Sequence, residues 1–219
     1  RTTPTELSEA RSMLGASSVG EYVLFCGGFS DSNDVDAYNS ALTRSSPATG
    51  NLGNSVAGAR NEMYALFGGG YSTNAMMYFS SLSAFDENLT KVSPSPSVLS
   101  NSKNSAAGAT AGQYALFAGG TNKSGVLSSV DAYNQDLTRT NTELGFARSR
   151  LAGTSLGEFA VFGGGVSGSA SDYTDAFNSS LTRSHPENLS SARGGLAATS
   201  VENYALFGGG NAVVDVYTI

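Results

Sequence analysis

The chain has 219 residues, with 18 acidic and 12 basic side chains, one histidine and one cysteine. The acidic balance argues against a nucleic-acid partner, which requires a clustered basic face, and the absence of a run of about 18 apolar residues argues against a membrane-spanning helix. Cys26, alone, can form neither an intrachain disulfide nor a cysteine zinc cluster.

Residues 1–12, RTTPTELSEARS, contain no apolar h-region, so any targeting signal is expected to have been removed or to lie outside this sequence. From residue 14 onward the chain repeats. The first repeat has a small-residue run (Leu14–Ser17), an apolar phrase ending in paired glycine (Glu21–Gly28, EYVLFCGG), a VDAY segment (Val35–Tyr38) and a segment opening on Leu42-Thr43-Arg44. The second has Val56–Ala59, Met63–Gly70, Ser83–Phe85 and Leu89-Thr90-Lys91; the third has Ala106–Ala109, Gln113–Gly120, Val130–Tyr133 and Leu137-Thr138-Arg139. The fourth has Leu151–Thr154, Glu158–Gly165, Thr174–Phe177 and Leu181-Thr182-Arg183, and the fifth has Leu196–Thr199, Asn203–Gly210 and Val214–Tyr217. The phrase aromatics Tyr22, Tyr64, Tyr114, Phe159 and Tyr204 follow one another at 42, 50, 45 and 45 residues.

A period near 45 belongs to propeller blades or helical solenoids. The runs are short, rich in Val, Tyr and Phe, and bounded by Gly, Asn or Ser, without a helical apolar stripe, so each repeat is predicted to form four antiparallel strands, a to d. The fifth repeat stops before strand d, while the opening RTTPTEL reads like RSHPENL at 183–189. The expected fold is an all-β, five-bladed β-propeller spanning residues 1–219 as a single domain, closed by the N-terminal strand completing the last blade.

The apolar strand ending in a glycine pair (Gly27/Gly28, Gly69/Gly70, Gly119/Gly120, Gly164/Gly165, Gly209/Gly210), followed after a variable gap by an aromatic residue (Tyr38, Phe85, Tyr133, Phe177, Tyr217), resembles the kelch-type β-propeller repeat. The resemblance covers essentially the whole chain, and it implies a partner-binding face built from the b–c loops.

Other repeated positions read as structural. Basic residues recur six after the strand-c aromatic (Arg44, Lys91, Arg139, Arg183) and before strand a (Arg11, Lys103, Arg148, Arg193), and carboxylates recur at Asp36, Asp131, Asp175 and Asp215, with Ser83 in the second repeat. Use in nearly every repeat points to pairing within the fold, since a substrate site would break the symmetry. Gly163–Gly168 satisfies G-x-G-x-x-G, but a strand follows it where a phosphate cradle needs a helix N-terminus. His185 sits in a polar strand-d slot without a nucleophile elbow, and Cys26 fills a small-residue slot held elsewhere by Gly or Ala. The DSNDVD stretch, Asp31 to Asp36, offers oxygens for Ca²⁺ but lacks the Gly and distal Glu of an EF-hand loop, and reads as an acidic turn. No catalytic residue, metal site or cofactor is assigned.

The a–b and c–d turns barely change in length, whereas the b–c gaps between the second paired glycine and the aromatic run 9, 14, 12, 11 and 6 residues. Variation therefore falls on the face carrying the b–c and d–a loops. In the second repeat that gap contains Tyr71, Met76, Met77, Tyr78 and Phe79, an apolar group where other repeats are polar, which predicts either a contact surface or a segment, Met76–Phe79, that lengthens strand c or packs onto the blade. Asp31, Asn33, Asn122, Lys123, Asp172, Tyr173 and Asn211 complete the candidate rim. The expected function is non-catalytic binding, with a protein partner and an extracellular or cell-surface setting favoured. A sugar-binding propeller is the alternative, and an enzyme would need an asymmetric carboxylate cluster at the pore mouth. Four N-x-S/T sequons (Asn88, Asn122, Asn178, Asn188) have meaning only in a glycosylating pathway.

Overall fold

A computed structural model of the chain describes residues 3–29, 32–48 and 52–218, and the secondary structure among them is β throughout. Blade 1 comprises β1 (Gly15–Val19), β2 (Tyr22–Cys26), β3 (Val35–Tyr38) and β4 (Arg44–Ser45). Blade 2 comprises β5 (Ala57–Arg60), β6 (Ala65–Gly68), β9 (Leu82–Phe85) and β10 (Lys91–Val92), with a hairpin of β7 (Tyr71–Ser72) and β8 (Met77–Tyr78) between its second and third strands. Blade 3 comprises β11 (Ala107–Ala111), β12 (Tyr114–Ala118), β15 (Ser129–Tyr133) and β16 (Arg139–Glu143), with hairpin β13 (Thr121–Asn122) and β14 (Gly125–Val126). Blade 4 comprises β17 (Ala152–Leu156), β18 (Phe159–Gly163), β21 (Thr174–Phe177) and β22 (Arg183–Ser184), with hairpin β19 (Val166–Ser167) and β20 (Ser169–Ala170). Blade 5 comprises β23 (Ala197–Val201), β24 (Tyr204–Gly208) and β25 (Val214–Thr218).

Each blade is an antiparallel meander ordered as the chain runs, and the inner strands β1, β5, β11, β17 and β23 pack side by side in that sequence around a shared channel. This is a five-bladed β-propeller. The core lies between blades. Alternation along each second strand sends Leu24, Leu66, Leu116 and Val161 toward the next blade and Phe67, Phe117, Phe162 and Phe207 toward the preceding one, giving four interblade clusters. An alanine pair sits in every one: Ala37/Ala65, Ala84/Ala115, Ala132/Ala160 and Ala176/Ala205. Within each blade the second-strand phenylalanine meets the third-strand aromatic edge to face, for example Phe117 and Tyr133 at 6.4 Å between centroids.

Small residues on the inner strands follow from how closely the blades converge. A Cβ on Gly108 would lie 1.9 Å from the Gly58 carbonyl oxygen of the preceding blade. The repeated glycine pair has a related cause: Gly119 takes φ +65°, a Cβ there would meet the Arg148 carbonyl oxygen at 2.4 Å, and Gly120 N–H donates to that same oxygen at 3.0 Å. Around one channel mouth runs a backbone chain: Ser55 N–H donates to Met13 C=O (2.8 Å), Ser105 to Ser55 (3.3 Å), Arg150 to Ser105 (2.9 Å) and Gly195 to Arg150 (2.9 Å). All five residues are left-handed, with φ between 53° and 71°.

Blade 5 has three strands among the described residues, and Thr3–Leu7 form none. The expected completion of the last blade by an N-terminal strand is therefore not seen among them; Arg1, Thr2 and Ile219 lie outside the described residues. The opening segment does keep its repeat register. The Tyr38 hydroxyl donates to Thr5 C=O at 2.8 Å, as the Tyr217 hydroxyl does to Glu187 C=O at 2.8 Å.

Candidate binding face

The b–c and d–a connections share one face. Asn54 and Tyr71, Asn104 and Thr121, and Ser149 and Val166 form isolated antiparallel bridges, each tying a blade's hairpin to the connection that leads into that blade. Beneath this face lies a row of ion pairs: Arg11 with Asp36 at 2.6 Å, Lys103 with Asp131 at 3.0 Å, Arg148 with Asp175 at 2.7 Å, and Arg193 with Asp215. The strand-d bases Arg44 and Arg183 meet the same carboxylates from the other side, at 3.2 and 3.0 Å. Burial pulls the Lys103 ammonium down and the Asp131 carboxylate opposes this. These groups brace the blades from within, as the repeat pattern predicts.

Blade 2 lacks this pair. Its third strand has buried Ser83 in the Asp register, and Gly53 stands where the other blades carry Arg or Lys. Both partners are lost together, so no lone buried charge is left. The space is taken by the hairpin: a Cβ on Gly53 would lie 2.3 Å from the Tyr71 carbonyl oxygen and 3.0 Å from the Phe79 ring.

That hairpin carries the most exposed large apolar side chain among the described residues, Met76. Tyr71 pairs with Tyr78 across it, their rings 4.9 Å apart, and Ser72 pairs with Met77. Residues 73–76 form the turn, where the Ser72 hydroxyl accepts from Ala75 N–H at 2.9 Å and Met76 takes φ +53°. Met76 is 78% exposed and Met77 54%, while Tyr71, Tyr78 and Phe79 are half-buried. The aromatics pack on the blade and the methionines face solvent, while β7 and β8 form a separate two-stranded sheet and do not lengthen the third strand.

The other rim residues are more firmly held. Asn122 accepts from Ser124 N–H in the blade 3 hairpin turn, and Lys123 beside it is exposed. Tyr173 is half-buried, stacked on His185 at 4.1 Å and edge-on to Phe146 at 4.9 Å, with the Arg148 guanidinium 5.5 Å from its centroid. Asp172, also half-buried, gives its carbonyl to Leu189 N–H. Asn211 holds Arg193 (3.1 Å) and Ser191 (2.9 Å), and Asn33 accepts from Leu52 N–H of the next connection at 3.0 Å. Asp31 lies outside the described residues. Asp34 and Asp36 are engaged by Ser8, and Asp36 also by Arg11 and Arg44, so their oxygens serve the blade.

Sequence reasoning missed the hairpins of blades 2, 3 and 4 and the Phe146–Tyr173–Arg148 cluster. The only signal for the hairpins was the longer b–c gap of blades 2 to 4. His185, predicted as an exposed strand-d residue, is exposed but stacked, its Nδ1 2.7 Å from Thr174 C=O.

No family model and no curated protein matches the chain. Among solved structures it is similar to YjhT, with a TM-score of 0.72 and 13% identity over 94% of this chain and 80% of that one. This likeness is one of fold.

Proposed function

We propose that this chain is a kelch-type, non-catalytic binding module that engages a protein partner through the b–c hairpin face. The observation that carries the reading is the blade 2 hairpin, where Met76 and Met77 stand in solvent on a base of packed aromatics. Methionine adapts its shape to an apolar partner at low cost, and the rigid base limits the ordering entropy lost on contact. The polar, internally bonded residues on neighbouring blades form the rim around such an apolar centre.

The test is selection of peptides from a displayed library against the chain, alongside a glycan array, with Met76→Ser/Met77→Ser as the counter-target. The reading expects apolar-anchored peptides that bind at least about tenfold more weakly to the double variant, a loss near 1.4 kcal/mol. Glycan binding without peptide binding, or peptides indifferent to the substitution, would overturn it.

A further inference from the structure

The four interblade clusters follow one rule. Each blade sends out a Leu or Val from its second strand and an Ala from its third, and the next blade receives them with Ala or Phe side chains of its second strand and an aromatic of its third. Blade 5 carries an outgoing face that no other blade covers among the described residues: Val214 and Val216 are 57% and 53% exposed. Blade 1 carries a receiving face of Val23, Phe25 and Tyr38, which with Thr3–Leu7 lines an open apolar groove of about 710 Å³.

Independent features end at the same seam. The backbone chain around the channel mouth stops at Met13 N–H and Gly195 C=O, which have no such partner among the described residues. Gly28, Gly70, Gly120 and Gly165 each donate to the following blade's linker, whereas Gly209 and Gly210 are exposed and Gly210 makes no equivalent bond among the described residues. β23 does not pack on β1 as the other inner strands pack on their neighbours, so the turn per blade set by four interfaces leaves the arc open after five. Direct mating of blade 5 with blade 1 is also overfilled. Val216 and Val23 occupy the register where all four formed interfaces use an alanine pair, which adds two carbons on each side.

We propose that this seam is a docking surface for one further four-stranded antiparallel blade of the same repeat type, seated between blade 5 and blade 1. One such blade has a receiving and an outgoing face, so it covers both apolar surfaces at once. Its linker carbonyl meets Gly210 N–H, its left-handed inner residue joins Gly195 C=O to Met13 N–H, and small residues on its two faces accommodate Val216 and Val23. It continues the interface already formed four times within the chain.

The first test uses the chain as it is, with spin labels on Val23→Cys and Val216→Cys in a Cys26→Ala background. Packed sheets lie ~10 Å apart, so a seat for one blade separates the two faces by ~20 Å, and that distance is expected. A distance near ~10 Å, or a disulfide between the two cysteines, means the ring closes on itself and overturns the proposal. The second test appends a copy of residues 136–184 after Ile219, which supplies a fourth strand for blade 5 followed in register by one four-stranded blade. Loss of apolar-dye binding is expected, with a rise in Tm of at least about 5 °C. Val216→Glu should then lower the Tm of the extended chain while leaving that of the original unchanged. Retained dye binding with an unmoved Tm, or dimers of the original chain that Val216→Glu dissociates, would overturn the proposal.

Discussion

Arg148 and Asp175 meet at 2.7 Å with neither side chain exposed to solvent, and Arg148 Nε also donates to the Gly164 carbonyl at 2.9 Å. The pair joins the linker ahead of blade 4 to its third strand. Removing the carboxylate leaves Arg148 buried without a counter-charge, whereas Asp175 would keep Arg183: Asp175→Ser is expected to cost about 3–5 kcal/mol, read by urea unfolding. Arg148→Met/Asp175→Ser should cost clearly less than the single change, since blade 2 does without both charges at Gly53 and Ser83. Equal losses in the two variants would show that the pair is not coupled.

Two strand glycines with identical chemistry should respond oppositely to a methyl group. Gly108→Ala forces a Cβ toward a backbone oxygen 1.9 Å away, whereas at Gly208 the nearest atom is a Val214 methyl at 3.6 Å. Thermal unfolding should show Gly108→Ala destabilised by about 2–4 kcal/mol and Gly208→Ala within about 0.5 kcal/mol of the parent.

The leucine of each Leu-Thr-Arg/Lys segment sits in a left-handed turn, at φ 60° for Leu42 and 56° for Leu137. Leu137 is 4% exposed because blade 2 covers it, whereas Leu42 is 45% exposed beside the seam. Leu137→Ala is expected to cost about 2–4 kcal/mol and Leu42→Ala less than about 1 kcal/mol. Matching costs in denaturant unfolding would contradict the open seam.

Burial pushes the Cys26 thiol up to about 12 from a reference near 9.0. Because the folded value is the higher one, the unfolded chain releases its proton first as pH rises. The thiol's contribution is fully present below pH 9 and is lost between pH 9 and 12, amounting to about 4 kcal/mol across three units. Cys26→Ala should flatten that part of the stability profile, and an unchanged alkaline slope would exclude Cys26 as its source.

Much of the fold was legible because the constraints recur. The Gly pairs mark where the next linker's carbonyl approaches, and Asp36, Asp131, Asp175 and Asp215 mark a pairing used in four of the five blades, so repetition makes the signal plain. The site was less legible. Tyr71 and Tyr78 gave a local apolar signal, but pairing across a hairpin depends on a register that no repeat enforces. Ser83 stood in sequence as a lone exception, and only the ion pairs formed at the equivalent positions of the other blades tie it to Gly53 as one joint substitution.

The left-handed residues at the channel mouth are Met13, Ser55, Ser105, Arg150 and Gly195, five positions with little chemistry in common. Four main-chain hydrogen bonds lace them into an arc, so the spacing from one to the next is set by the backbone and not by which side chains surround it. Thioether, hydroxyl, guanidinium or bare hydrogen can thus be exchanged there as interchangeable fittings on one backbone rail. The polarity of the entrance can change from one sequence to another without the propeller being rebuilt.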